Sequence, residues 1–259
     1  MKGRKFVNAG RRSGTGATSL YGVHAIEAWL QVSPRRLQRL WVRPRSHGKL
    51  AALAAAARAA HVPVDEVSDD ELTVLAGTSR HQGIVSAARE YAYAQLEDIV
   101  AAHPALVVVL DQIQDPRNLG AILRTAAAVA AGGIVLPKDG AVGITPAVEV
   151  AAAGAVARLK VGRVTNLVRT VKFLQEEGYW AVALDAAADV DIFSLDTGAR
   201  TALVIGGETG VRPLLLRSCD QVAAIPMPGA VESLNVSVAA ALALYEIHRR
   251  GLAAGLPLP

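Results

Sequence analysis

The chain has 259 residues, of which 52% are hydrophobic and only 4% aromatic, and it carries one cysteine and a net charge of +4. This length allows one large or two smaller domains, with a core built mainly from aliphatic side chains. A single cysteine excludes an intrachain disulfide and a cysteine-rich zinc site, and the six histidines are scattered without metal-binding spacing. We therefore predict no bound metal and a reducing, cytoplasmic location.

Residues 1–19 are predicted to form a basic flexible tail. They contain no acid and lack the apolar stretch of a secretory signal. An organellar presequence is the alternative, but Gly14 and Gly16 disfavour the amphipathic helix that it requires. No apolar run elsewhere reaches the roughly 18 residues of a membrane span, so none is predicted.

Residues 20–90 are predicted to form a small α/β domain. Apolar residues at helical spacing indicate a first helix, which Ser33-Pro34 ends. Asp69 and Asp70 are the predicted caps of a short later helix. The predicted elements are a helix over 21–31, a strand over 37–42, a helix over 50–60, an extended segment over 62–64, a helix ending at 75 and a strand over 84–87.

Residues 91–104 are predicted to be a linker with a short helix over 96–101, and residues 105–252 a second domain in which strands and helices alternate. This alternation is typical of a parallel sheet with helices on both faces. The predicted strands are 106–110, 134–136, 158–161, 180–184, 202–205 and 222–225, and the helices are 119–131, 145–153, 166–177, 213–218 and 238–249.

Basic charge is concentrated at the N-terminus. Residues 1–50 hold eleven of the 27 lysines and arginines against one acid and are therefore +10, whereas the other 16 basic and 22 acidic residues give −6. Such asymmetry indicates a polyanionic partner, nucleic acid first, although a solvated basic face is the simpler alternative. The candidates for RNA contact are Arg35, Arg36, Arg39 and Arg43.

The first of three polar stretches follows the strand that ends at residue 110. Asp115-Pro116-Arg117-Asn118 lies between this strand and the next helix, whose free amides attract polar or anionic groups. With a helix that begins at residue 119, Arg124 falls within the first two turns and reaches the same rim. The alternatives are a plain cap for Asp115 and a solvated charge for Arg124.

The second and third stretches also follow strands. In Gly206-Gly207-Glu208-Thr209-Gly210 the glycines allow a ligand to touch the main chain and Glu208 offers an acceptor; a glycine-rich turn with an exposed acid is the alternative. The third stretch runs from Ile225-Pro-Met227 through Ser233-Leu234-Asn235 into an apolar helix. It predicts a stiff loop with ligand-accessible polar groups, or else a strand-to-helix turn with a polar cap.

Together the three stretches resemble the three motifs of the SpoU (TrmH-like) branch of SPOUT methyltransferases. The family forms run D-x-x-x-D-P-x-N-x-G-x-x-x-R, then G-x-E-G-x-G, then I-P-M-x-G-x-x-x-S-L-N-x-S. The resemblance covers residues 21–250, and Tyr21-Gly-Val-His24-Ala with His81-Gln82-Gly83 is similar to the ribosomal-protein-L30e-like RNA-binding domain of RlmB-type enzymes. Those enzymes methylate the ribose 2′-hydroxyl of a guanosine in 23S ribosomal RNA.

This resemblance implies a homodimer, an L30e-like N-terminal α/β domain and a parallel-sheet SPOUT domain whose C-terminal segment forms a trefoil knot that binds S-adenosyl-L-methionine (AdoMet). It implies cofactor contacts from Gly206, Ile225, Met227 and Leu234. The implied catalytic residues are Asn118, Arg124, Glu208, Ser233 and Asn235. Because a guanidinium stays protonated, Arg124 is expected to stabilise charge or bind a phosphate, and Glu208 is an alternative proton acceptor.

The second motif departs from the family form, because it is one residue shorter and has Thr209 where glycine is expected. We predict that cofactor binding survives, since Gly206 and Glu208 remain. The leading hypothesis is a 23S rRNA guanosine 2′-O-methyltransferase. The alternatives are a methyltransferase acting on tRNA or on an rRNA adenosine, and a non-catalytic RNA-binding factor with a degenerate site.

Overall fold

The structure is a computed structural model that describes residues 17–195, 198–231 and 233–253. Internal contacts divide the chain into two compact units, the first ending at Ala92 and the second beginning at Tyr93. This boundary lies close to the end predicted for the small N-terminal domain, and each unit is described below by itself.

The first unit contains a four-stranded mixed sheet with the strand order β1-β4-β2-β3. Its β4 pairs antiparallel with both β1 and β2, and β3 pairs parallel with β2. The elements are β1 (Ala17–Tyr21), α1 (Val23–Val32), β2 (Leu37–Val42), α2 (Lys49–Ala59), β3 (Val64–Glu66), α3 (Asp69–Ala76) and β4 (Ile84–Arg89), with a 3-10 turn at Pro34–Arg36.

A tight turn before β4 ties together the elements of this unit. Gly83 N donates to His81 Nδ1 at 3.0 Å, which leaves His81 Nε2 to donate to the Thr73 hydroxyl at 3.2 Å. Gln82 Oε1 accepts from Val23 N at 2.9 Å, at the start of α1. The buried histidine therefore holds a turn whose glutamine caps a helix, and this is a structural role for His81-Gln82-Gly83.

Two expectations for this unit need correction. Ala17–Ser19 were predicted to belong to the tail, but they pair with β4. The prediction failed because a short strand with one buried apolar residue, Leu20, shows no periodicity in the sequence. The remaining tail residues, 1–16, lie outside the described residues. The cap of α3 is Ser68 rather than Asp69 or Asp70, since its hydroxyl accepts from Glu71 N and the Glu71 carboxylate accepts from Ser68 N.

The second unit is built on a six-stranded sheet with the order β10-β8-β9-β5-β6-β7, and every pairing is parallel. Its elements are α4 (Leu96–Val100), β5 (Leu106–Asp111), α5 (Pro116–Ala128), β6 (Gly133–Pro137), α6 (Pro146–Ala151), β7 (Lys160–Val164), α7 (Leu167–Glu176), β8 (Trp180–Leu184), β9 (Thr201–Gly206), α8 (Pro213–Leu216), β10 (Gln221–Ala223) and α9 (Val236–Ala253), with a 3-10 turn at Ala155–Ala157. The predicted alternation and the parallel sheet are confirmed.

The centre of the sheet is β5 and β9, in which every residue is buried. Continuous runs of β-branched and aliphatic residues form such strands because both faces are covered by helices. The two strands pair over their full length, and Asp111 lies opposite Gly206 at their carboxyl ends. The loops that follow these two strands therefore leave the sheet side by side.

Most of the segment predicted as a linker, 91–104, belongs to the second unit, which begins at Tyr93. Ala94 bridges to Gly162 beside β7, and α4 packs on β6 and β7. Ile99 and Val100 are buried, and Ile99 fills the space left by Gly133, where an added Cβ would come within 2.8 Å of its side chain. The short helix predicted over 96–101 is confirmed as α4, but its packing against the sheet is not visible in the sequence, because a five-residue helix has too few turns to show an apolar face.

Helix α5 begins three residues earlier than the sequence predicted. Asp115 is its N-cap, with a carboxylate that accepts from Arg117 N at 2.7 Å, and Pro116 is the first helical residue. Further along, α5 approaches α6 so closely that a Cβ on Gly120 would lie 2.4 Å from the Ala151 Cβ. The earlier start places Asn118 in the first turn of the helix.

A buried ion pair fixes the loop after β9 to the end of β5. The fully buried carboxylate of Asp111 accepts from the Arg212 backbone N–H and from its Nε, both at 3.0 Å, and Arg212 Nη2 lies 2.8 Å from Oδ1. A main-chain bond from Gly207 N to the Asp111 carbonyl oxygen, 2.8 Å, joins the same two elements. The loop is therefore held near its beginning and just after its end.

Replacing Arg212 with alanine should lower the free energy of unfolding by about 3–5 kcal/mol, because it leaves a buried carboxylate without its cation. Asp111→Asn should lower it by less, about 1–3 kcal/mol, since the half-exposed guanidinium that remains can be hydrated. Urea denaturation of the two single variants and the double variant measures this. Wild-type stability of Arg212→Ala, or a double variant less stable than Arg212→Ala, would contradict the role of the pair.

Candidate active site

The loops after β5, β9 and β10 meet at the carboxyl edge of the second unit's sheet, where ligands of open α/β sheets bind. They surround a cavity of about 550 Å³. The three sequence stretches thus meet in space, although 87 residues separate the first from the second and 14 residues separate the second from the third. The lining residues are Asn118, Leu184, Asp185, Ala186, Ile205, Gly206, Gly207, Glu208, Thr209, Gly210, Ile225, Met227, Ser233, Leu234, Asn235, Val236 and Ala239.

Eight of the nine residues expected at the catalytic and cofactor site line this cavity, and the ninth, Arg124, does not. A hydrogen bond joins the first stretch directly to the third, because Asn235 Nδ2 donates to Asn118 Oδ1 at 3.2 Å. The other amide atom, Asn235 Oδ1, accepts from Ser237 N at 2.9 Å and from the Ser237 hydroxyl at 2.6 Å. Asn235 therefore caps α9 and orients the amide of Asn118 at the cavity wall.

The loop after β9 is compact because of its glycines. A Cβ on Gly206 would lie 2.0 Å from the Gly210 carbonyl carbon, and one on Gly207 would lie 2.5 Å from the Gln112 carbonyl oxygen. The loop closes as a turn in which Gly210 N donates to the Gly207 carbonyl oxygen at 3.0 Å. The shortened second motif thus forms an ordered turn that presents exposed Glu208 and Thr209 to the cavity.

One part of the cavity wall was missed by the sequence analysis. Leu184 ends β8, and Asp185 and Ala186 follow it; β8 lies next to β9 in the sheet. Asp185 Oδ1 accepts from Ala187 N at 2.8 Å, so its carboxylate is held by its own turn at the wall. The sequence predicted a strand that ends at residue 184, but only the order of strands in the sheet shows that this strand end adjoins the site.

A second lobe of about 470 Å³ opens on the other side of the Glu208 turn. It shares Asn118, Gly207, Glu208, Thr209 and Val236 with the first cavity. Its own lining is the turn between β5 and α5, residues Gln112, Ile113, Gln114 and Asp115. The two cavities therefore adjoin along these residues, a shared wall that carries one carboxylate and one amide.

The turn of the second lobe carries a charged pair. Arg117 donates from Nη2 to Asp115 Oδ2 at 2.8 Å and from Nε to both carboxylate oxygens at 3.3 and 3.2 Å. These side-chain hydrogen bonds, with the backbone bond from Arg117 N, hold the pKa of Asp115 below its ordinary value. The same carboxylate raises the pKa of the Arg117 guanidinium. Both groups are therefore charged at neutral pH.

Arg124 is exposed and lines neither lobe. The expectation that it reaches the rim assumed a helix that begins at residue 119. Because Asp115 caps the helix and Pro116 starts it, Arg124 lies in the third turn of α5, one turn further from the cavity than predicted. Its expected position within the first two turns is corrected to the third turn, while its catalytic role stays a prediction.

In the first unit, three of the four arginines expected to contact RNA have partners within that unit. Arg36 is 8% exposed, its guanidinium lies 4.2 Å from the centre of the Trp29 ring, and its Nε donates to the Arg89 carbonyl oxygen at 3.1 Å. Arg36 is therefore a core residue, and the prediction that it contacts RNA is corrected. Arg39 pairs with Asp65 at 2.7 Å and Arg43 with Asp69 at 3.5 Å; both remain about half exposed. Arg35 is exposed.

Other chemistries find no support in the part of the chain that the structure describes. Residues 17–195, 198–231 and 233–253 contain no group of three or more histidine, cysteine or acidic side chains placed to hold a metal ion. Burial raises the pKa of the Cys219 thiol to about 12, which leaves it protonated and unreactive. Within these same residues, every helix is too short or too polar to cross a bilayer.

Family comparisons cover both units. The model of the SpoU rRNA Methylase family matches residues 105–245, which span the sheet and all three motif loops. A second model, described as RNA 2′-O ribose methyltransferase substrate binding, matches residues 19–94, which coincide with the first unit.

Relatives of known sequence and structure agree with these matches. The chain is 40% identical to the 23S rRNA (guanosine-2′-O-)-methyltransferase RlmB of Coxiella burnetii, over 90% of this chain and 95% of that protein. It is 40% identical to the putative TrmH family tRNA/rRNA methyltransferase YacO of Bacillus subtilis, over 84% and 90% of the two chains.

Among solved structures, the SpoU methyltransferase AviRb of Streptomyces viridochromogenes in complex with AdoMet superposes with a TM-score of 0.79 at 25% identity, covering 94% of this chain and 95% of that one. An AdoMet-bound rRNA methyltransferase from Sinorhizobium meliloti gives 0.76 at 26% identity, with 92% and 89% covered. The family models, the full-length relatives and the shared fold agree, and the chain belongs to the SpoU rRNA methylase family.

Proposed function

We propose that the protein transfers a methyl group from AdoMet to the ribose 2′-hydroxyl of a guanosine in 23S ribosomal RNA. The observation that carries this proposal is the pair of adjoining lobes that share Asn118 and Glu208. A group transfer requires the donor and the acceptor to be in contact, and adjoining lobes allow this. Membership of the family and the names of the full-length relatives support the substrate class. We propose the cytoplasm as the location, where the ribosomal RNA is found.

The first lobe fits AdoMet. An adenine requires apolar walls and main-chain hydrogen bonds, and Ile205, Ile225, Met227 and Leu234 surround a cavity edged by backbone. Gly206 and Gly207 keep the turn after β9 compact, and Asp185 adds a carboxylate suited to ribose hydroxyls. AdoMet, when bound, supplies an electrophilic methyl group on a sulfonium.

The residues of the shared wall are proposed to hold the ribose 2′-oxygen and to accept its proton. Asn118 and Asn235 are joined by a hydrogen bond that fixes their amides, so they can orient the hydroxyl without reorganisation. Glu208 lines both lobes and is the carboxylate proposed to accept the proton. Ser233 lines the first lobe and is proposed to position the same ribose.

The first unit is proposed to be an L30e-like domain that captures structured RNA. Its match to the substrate-binding family supports this role, as does the concentration of positive charge in residues 1–50. Arg35, with Arg39 and Arg43 at the surface, is proposed to contact phosphates, which position a structured RNA without reading its bases. RNA binding should therefore weaken steeply with salt.

We also propose a homodimer and a C-terminal trefoil knot. The path of the chain after β10 supports the knot. This segment returns to the cavity formed by the loops after β5 and β9, and α9 then packs on α5. One face of α9 supports the dimer, because Val238, Leu242 and Tyr245 recur at helical spacing and are 40–55% exposed. A second copy of the chain is the proposed occupant of this face.

The function is tested by methyl transfer from radiolabelled AdoMet to total RNA from cells that lack the protein. We expect incorporation at one 23S position, resistant to alkaline cleavage because a 2′-O-methyl group removes the attacking hydroxyl. Asn235→Ala should lower turnover by about 10²-fold, the usual effect of losing one oriented hydrogen-bond group. AdoMet affinity, measured by calorimetry, should stay close to wild type. Labelling of tRNA or of an adenosine, or AdoMet binding without transfer, would instead support the alternatives.

Arg124 is proposed to stabilise negative charge at the reacting oxygen, a role that requires RNA or the second copy to complete the site, since it lines neither lobe of one chain. Arg124→Lys should lower kcat at least tenfold, because lysine lacks the planar fork of donors. AdoMet affinity should not change. Near-normal turnover at neutral pH would exclude any role that needs the guanidinium.

Leu242→Asp should convert the dimer to a monomer, because it places a charge at the centre of the apolar face of α9. Light scattering after gel filtration measures the mass. The control is Val74→Asp, which changes a more exposed aliphatic residue of the first unit, 68% against 40% for Leu242, and should leave the mass unchanged. A dimeric Leu242→Asp variant would place the interface elsewhere.

A further inference from the structure

The second lobe has the chemistry of a pocket for a neutral group. Its volume of about 470 Å³ falls in the range of small-molecule sites, about 300–1,000 Å³. Two carboxylates, Asp115 and Glu208, line it together with the amides of Gln112 and Gln114. Carboxylates repel a phosphate, whereas ribose hydroxyls and base N–H groups donate to them. A nucleoside therefore fits inside the lobe, and its phosphates must stay outside.

A cation stands beside this lobe. Arg117 is the second residue of α5, its side chain is 88% exposed, and Asp115 holds its guanidinium through Nε and Nη2. A guanidinium has five N–H donors, so these bonds leave it able to donate to a further acceptor. The hydrogen bonds to Asp115 restrict the side chain, which reduces the entropy that it loses when a ligand binds.

We propose that the second lobe is the subsite of the target nucleotide and that Arg117 binds an RNA phosphate next to that nucleotide. The proposal rests on the proposed function, because the shared wall is where the reacting ribose must lie. The nucleoside enters between the turn at residues 112–115 and the Glu208 turn. Its flanking phosphate, excluded by the two carboxylates, meets the guanidinium at the mouth of the lobe.

The arrangement distinguishes Arg117 from Arg124. Arg117 is hydrogen-bonded to a residue that lines the lobe, whereas Arg124 lies in the third turn of the same helix and lines neither lobe. Arg117 acts on binding of the RNA, since its charge is present before the reaction and is not needed at the reacting atom. Its loss should therefore appear in KM for RNA and in RNA affinity.

The first experiment measures equilibrium binding of a 23S rRNA fragment as a function of salt. Arg117→Gln should weaken binding roughly tenfold, as expected for a lost hydrogen bond between charged groups. The slope of log K against log salt should fall by about 0.7–0.9, the value for one phosphate contact. AdoMet affinity and kcat at saturating RNA should remain those of the wild type.

Arg117→Lys keeps the charge and should retain the salt slope, while losing part of the affinity with the planar fork of donors. Arg169→Gln is the matched control, because Arg169 is also exposed in the first turn of a helix and lines neither lobe. It should leave affinity and slope unchanged. A wild-type slope for Arg117→Gln, or an equal loss for Arg169→Gln, would overturn the phosphate contact.

The second experiment fills the lobe. Gln114→Trp places a large side chain at an exposed position of the second lobe's own lining, away from the wall shared with the first. Methylation should fall at least 10²-fold while AdoMet affinity is kept, and methylation at the wild-type rate would overturn the assignment of the lobe. If the wild-type protein itself transfers no methyl group, the proposed function fails, but the salt slope of Arg117→Gln still tests the phosphate contact because binding is measured without turnover.

Discussion

The geometry of the site depends on one buried ion pair. Asp111 ends β5 with a carboxylate that is fully buried, and Arg212, 101 residues later, reaches it with its backbone N–H and its guanidinium. A buried carboxylate without a cation is strongly unfavourable, so the pair forces the loop after β9 back onto β5. The glycines at 206 and 207 make that approach sterically allowed, since a Cβ at either position would clash with backbone. The position of Glu208 follows from these two constraints together.

The parallel sheet brings the loop held by this ion pair together with the other loops of the site. All six strands point the same way, so the loops after β5, β8, β9 and β10 emerge at one edge. The hydrogen bond between Asn235 and Asn118 joins the last loop to the first across 117 residues of sequence. The result is two adjoining lobes: one lined by aliphatic side chains together with polar groups and glycines, the other edged by carboxylates and amides. In the proposed reaction, the first lobe holds the methyl donor and the second holds the target nucleoside.

Charge is used differently in the two units. In the first, arginines at the surface pair with Asp65 and Asp69, while Arg36 is stacked on Trp29 in the interior. The number of basic residues in a segment is therefore larger than the number of cationic side chains that are available to bind a polyanion. Such a surface favours contacts to phosphates that depend on shape more than on base sequence. In the second unit, the carboxylate of Asp115, which lines the second lobe, holds the exposed guanidinium of Arg117.

The sequence by itself determined the alternation of strands and helices and the three polar loops that follow strands, because these depend on local spacing, caps and glycines. It misjudged the start of α5, although Asp115-Pro116 carries the local signal of a cap and a first helical residue, and Arg124 was misplaced as a consequence. Only the tertiary structure decided that Leu184 and Asp185 line the cavity, that Arg36 is buried and that residues 94–100 belong to the second unit. Each of these depends on which elements become neighbours, and neighbours in a sheet are chosen by packing between residues far apart in sequence.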